Sequence, residues 1–165
     1  MIVTKNNFSF FKLIICLLLL TGNCMAQSKK KIKKLKLRQI EIVESVNQSS
    51  KPITKSEYNH DGLLVSEENY DQNGQMNEVK KWAYNAKGNP TLERKLNGHN
   101  QLLEMKTYQY NALHQKVEEV TFDGNCKMKK KELFVYNAYG LKVEKRIYNE
   151  KNQLISLRKF KYTYD

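Results

Sequence analysis

The chain has 165 residues, with 29 Lys and Arg against 17 Asp and Glu, a formal net charge of +12. That length suits one domain, and the charge favours acidic partners. Cys16 and Cys24 fall in an N-terminal leader, so Cys126 is left without a partner and an internal disulfide is excluded.

Residues 1–26 read as a secretory signal peptide. Lys5 and Lys12 supply the basic start and Leu13 to Leu20 the apolar core, which is too short for a comfortable membrane span. Cys24-Met25-Ala26 places small residues at −3 and −1, so cleavage is expected before Gln27. The expectation is export to the periplasm, the cell surface or the medium. Lipidation at Cys24 is the lesser reading, because Asn23 is not the small residue that should precede a lipidated cysteine. The basic stretch SKKKIKKLKLR just beyond opposes translocation, but the length and flanks of the leader outweigh it. The leader holds two lysines and no Asp or Glu, so its removal lowers the net charge from +12 to +10.

Residues 27–52 read as a basic arm followed by a first strand. Lys29, Lys30, Lys31, Lys33, Lys34, Lys36 and Arg38 are the candidate residues for an anionic partner. The competing reading is a solvated, flexible stub. Leu35, Leu37, Ile40, Ile42 and Val43 suggest the strand, Asn47 to Pro52 a turn, and Ile53 to Tyr58 the approach to the repeats.

Residues 53–165 keep a 26-residue beat. Tyr58, Tyr84, Tyr110, Tyr136 and Tyr162 form one series; Tyr70, Leu96, Phe122 and Tyr148 a second; Trp82, Tyr108, Phe134 and Phe160 a third. A period of this size marks one supersecondary unit stacked on copies of itself. Asn or Asp follows each residue of the first two series up to Tyr148, as in YNHDG at 58 and YDQNG at 70. Such a side chain bonds the backbone two residues on and starts a turn. Gly62, Gly74, Gly88 and Gly140 then stand where a type I turn with a G1 bulge needs a left-handed residue. Asn100, His114, Cys126 and Asn152 hold that place in the other four turns. Cys126 suits it least.

Eight or ten residues separate the turns, which suits strands in tight hairpins. Neither a sustained 3.6-residue apolar period nor a capping box appears. The expected fold is all-β: an antiparallel meander of about eight hairpin-linked strands in a single twisted or coiling sheet. Plain alternation would put even-numbered residues on one face, from Leu64 and Tyr70 to Trp82, Tyr84, Tyr108 and Tyr110. It would set Arg94 opposite Glu104, Glu132 opposite Arg146 and Glu144 opposite Arg158.

The aromatic–Asn/Asp–x–x–Gly beat from Tyr58 to Asp165 resembles the YD repeats of bacterial Rhs-type proteins. In that family the sheets wind into a large hollow shell, and the resemblance implies the same kind of strand and turn unit here. Eight turns are too few to close such a shell.

The three histidines, His60, His99 and His114, all fall in separate turns and read as solvated turn residues rather than metal ligands. Cys126 has lysines nearby in sequence but no histidine beside it, so a nucleophile is the weaker reading. Neither a P-loop, GxGxxG, HExxH nor GxSxG occurs. The expectation is a protein without catalysis or cofactor, structural or binding, in the bacterial cell envelope. Its partner would be an anionic component, lipid phosphate or glycan, or a protein; nucleic acid is disfavoured by export. The alternative is an immunity or inhibitor-type protein that docks one protein partner through a sheet face or edge. Self-association through the edges is the remaining option.

Overall fold

The computed structural model describes residues 29–46 and 49–163. The leader and its cleavage site lie outside them. The described chain falls into two compact units, one of residues 29–38 and 58–63, the other of residues 39–57 and 64–163.

The second unit is an antiparallel sheet of ten strands in strict chain order, open at both sides. The strands are β1 (Gln39–Val46), β2 (Ser49–Tyr58), β3 (Leu64–Tyr70), β4 (Met76–Tyr84), β5 (Pro90–Asn97), β6 (Leu102–Tyr110), β7 (Lys116–Asp123), β8 (Met128–Tyr136), β9 (Lys142–Asn149) and β10 (Leu154–Lys159). The expected single meander is therefore present, with two strands more than the repeat beat alone implies. Both come from the region before Tyr58, where the beat is absent. Residues 49–52, expected as a turn, open β2 instead.

Each of the eight turns between β2 and β10 is built by one Asx residue. In the second turn the Asp71 Oδ1 accepts from the amides of Asn73 and Gln75 at 2.8 and 2.9 Å. The Gly74 amide bonds the Asp71 carbonyl, and the Asp71 amide bonds the Gln75 carbonyl. The same four bonds recur from Asn59, Asn85, Asn97, Asn111, Asp123, Asn137 and Asn149. The fourth residue of each of these eight turns is left-handed. φ is 72° at Gly62, 76° at Gly74, 79° at Gly88, 77° at Gly140, 61° at Asn100, 62° at His114 and Cys126, and 58° at Asn152.

The register departs from plain alternation. Tyr70 faces Met76 as expected, but Asn69 faces Glu78, so one extra residue is inserted on the incoming strand. The insertion recurs at every following hairpin, for instance between the Leu96–Leu102 and Lys95–Glu104 pairs. A bulge puts two residues against one and reverses the parity of all that follows. The even-face assignment is therefore corrected. Glu68, Val79, Leu96, Met105, Phe122, Lys131 and Tyr148 share a first face, while Trp82, Glu93, Tyr108, Glu119, Glu132 and Phe134 share the second. The three expected ion pairs fall with the parity: Arg94 faces Met105, Glu132 faces Ile147, and Glu144 faces Lys159.

With one layer, little is fully covered. Val79 (2% exposed) and Val120 are buried on the first face, and Phe134, Thr121 and Glu132 on the second. The remaining cohesion comes from the strand ladders and from side-chain latches along them. Tyr84 donates its hydroxyl to the Leu64 carbonyl (2.6 Å), Tyr110 to Pro90 (2.8 Å), Tyr136 to Lys116 (2.9 Å) and Tyr162 to Lys142 (2.7 Å). Each reaches the carbonyl 20 residues back, at the head of the preceding strand. Four of the five tyrosines of the first 26-residue series thus repeat one hydrogen bond.

Candidate binding surfaces

In the first unit, residues 29–34 are helical, not a loose stub. A single apolar side chain, Ile32, is 5% exposed. The helix lies against the turn of residues 59–62: a Cβ on Gly62 would come within 2.8 Å of the Lys29 carbonyl oxygen and 3.0 Å of the Lys33 amide. Glycine at 62 thus serves both the left-handed turn and the close approach. Lys33 pairs with Asp61 at 2.9 Å. That hydrogen bond and charge hold the Asp61 carboxyl below its usual range. Arg38 donates to the Asn59 carbonyl (2.8 Å) and meets His60 Nδ1 (2.5 Å).

The seven candidate cations therefore divide. Lys33 and Arg38 fasten the arm to the turn. Lys29, Lys30, Lys31, Lys34 and Lys36 are exposed and make no ion pair among the described residues. Lys36 takes a left-handed φ of 52°, where the helix ends.

Part of the sheet's charge is spent in ion pairs between neighbouring strands. On the second face Glu132, 7% exposed, sits between Lys145 (2.8 Å) and Lys130 (3.1 Å). Burial pushes its carboxyl up, but those two lysines prevail and hold it low. Glu78 likewise takes Lys95 at 2.6 Å and Lys80 at 3.5 Å, which keeps the like-charged Lys80–Lys95 pair bridged. Phe134 is surrounded by the ammonium groups of Lys142, Lys116 and Lys145, 4.7, 5.1 and 5.5 Å from its ring centre. Lysine beside aromatic is thus a packing device within the sheet.

His60, His99 and His114 lie in three different turns, and no group of three or more metal-ligating side chains gathers among the described residues. Cys126 is exposed at its turn. An open groove beside Pro52, Ile53 and Tyr70 is bordered by Glu44 and Lys51. The tyrosine latches and the bridging roles of Glu132 and Glu78 were missed by sequence reasoning. The constant 20-residue step from each strand head to its tyrosine was the available signal.

No family model matches the chain, and no curated protein matches it. Among solved structures, it is similar to a porin-like protein from Bacteroides uniformis at 13% identity, over 76% of this chain and 51% of that one, with a TM-score of 0.40. It is similar to TarM at 15% identity, over 90% of this chain and 26% of that one, with a TM-score of 0.31. It is similar to a Bacteroides fragilis protein of unknown function at 16% identity, over 74% and 89% of the two chains, with a TM-score of 0.23. This chain spans about half the length of the first and a quarter of the second. At these scores the likenesses carry no argument about function.

Proposed function

We propose that this chain is an exported, non-catalytic, YD-like β-repeat protein that works by surface contact in a bacterial cell envelope, with its basic arm as the point of attachment. The observation that carries this reading is the division within the arm. Two cations and one isoleucine anchor it, and five lysines are left to face a partner of opposite sign. Closely spaced ammonium groups on and just after one short helix suit an extended anionic surface, lipid phosphate or acidic glycan. The repeat sheet serves as scaffold, with part of its own charge held in ion pairs between neighbouring strands.

The test is binding to phosphatidylglycerol vesicles, to phosphatidylcholine vesicles and to polygalacturonate. Retention is expected on one or both anionic probes and not on the neutral one, falling steeply as salt rises. Replacing Lys29, Lys30, Lys31, Lys34 and Lys36 by Gln should abolish it while leaving the β circular dichroism intact. Binding that survives this variant, or no binding to either polyanion, overturns the reading.

A further inference from the structure

The two outer strands of the sheet are matched to each other. β1 pairs only with β2, and β10 only with β9, among the described residues. Each therefore leaves a row of backbone donors and acceptors on its outer side. Edge strands are commonly blunted by a lysine, a proline or a bulge. β1 reads QIEIVESV and has none of the three: its one register shift inserts Ile53 on β2, not a residue on β1. β10 carries one lysine, Lys159, at its last position. In β10 the extra residue is Ile155, near its start, so Ser156–Lys159 is regular.

The side chains are complementary as well. β1 contributes Glu41 and Glu44 and no cation; β10 contributes Arg158 and Lys159 and no anion. Each adds exposed apolar groups: Ile42 and Val43 on β1, Leu154, Ile155 and Leu157 on β10.

We infer that copies of this chain join head to tail, β10 of one pairing antiparallel with β1 of the next, so that the meander continues across molecules. Alternation of direction over ten strands already sets β1 antiparallel to β10, the sense shared by every pair in the sheet. The faces fix the parity of the pairing, and charge selects the register within it. Glu41 lies opposite Lys55, whose ammonium reaches Glu68 at 3.7 Å, so Glu41 belongs to the first face. Lys159 lies opposite Glu144, itself opposite Val135, on that same face. Among the registers that keep each face continuous, the one that pairs opposite charges sets Glu41 opposite Lys159 and Val43 opposite Leu157, with Glu44 diagonal to Arg158. Pairing β10 with a second β10 would instead bring cations together. A contact between two different edges does not close at two copies, so it yields a growing series or a ring.

Sedimentation velocity over a concentration series tests this. The weight-average mass should pass that of a dimer as concentration rises. Glu41→Lys alone and Lys159→Glu alone should each weaken association by about tenfold, and the double variant should restore it. Circular dichroism identical to the parent confirms that each variant is folded. A monomer at every concentration, a species that stops at two copies, or a double variant no better than the singles would each overturn the inference. The assay is independent of the arm, so its failure leaves the anionic-surface reading standing, and the five-lysine variant should assemble normally.

Discussion

At the scale of the residue, the eight turns are a controlled comparison. Backbone, Asx cap and hydrogen bonds repeat, while the left-handed place is filled by Gly four times, Asn twice, and His and Cys once each. A side chain with a Cβ is strained there, and Asn relieves part of the strain through local bonding. Cys126 has no such relief and is exposed, with φ at 62°. Cys126→Gly should therefore stabilise the protein by about 0.5–1 kcal/mol, read as a higher melting temperature under reducing conditions. A lower one would mean that Cys126 makes contacts that outweigh its backbone strain. These places were legible from the sequence because turn chemistry is local: Asx at the start and Gly or Asn three residues on define it without reference to the rest of the fold. The bulge that follows was not legible. Asn77, Thr91, Leu103, Val117, Lys129, Val143 and Ile155 occupy it, and they share no residue type. Parity counted straight through it flips, which is why the turns were placed correctly and the cross-strand charges were not.

At the scale of the element, four hairpins, β3–β4, β5–β6, β7–β8 and β9–β10, are each closed by a tyrosine whose hydroxyl bonds the carbonyl at the head of the hairpin's first strand. Burial and, secondarily, the Glu93 charge raise Tyr84 from the ordinary 10.0 to about 12; Tyr110 and Tyr136 are raised by burial as well. A phenol whose folded value lies above its unfolded value adds stability that is whole below about pH 10. That stability drains as pH rises toward the folded value. Denaturant unfolding from pH 8 to 12 should show this loss beginning above pH 10. Tyr84→Phe should cost about 0.5–1.5 kcal/mol at neutral pH and should flatten the alkaline decline. An unchanged decline would mean that Tyr84 does not contribute to it. The arm shows the opposite side of legibility. Its lysines were evident as candidates, but a helix with one buried residue, Ile32, has no apolar period to detect. Which cations the fold consumes depends on Asp61, Asn59 and His60, brought near by the close approach at Gly62.

At the scale of the whole molecule, the sheet is a one-dimensional stack. Each strand of the repeat touches the strands beside it, and each latch spans one hairpin. Stability in such an array is close to a sum over units and their junctions, with no distant side chain required for closure. On the readings proposed above, recognition lies in the arm and in the edges β1 and β10. Stacking of this kind also makes the repeat excisable. Deleting residues 85–110 joins Tyr84 to Asn111 and recreates a turn of the form YNALH, preceded by β4 and followed by β7. The shortened chain should fold to an eight-strand sheet with the same β circular dichroism and a smaller dependence of unfolding free energy on denaturant, in proportion to the surface removed. A shortened chain that loses its β signal or its cooperative transition would contradict a modular sheet and show that its stability is held in contacts across the whole array.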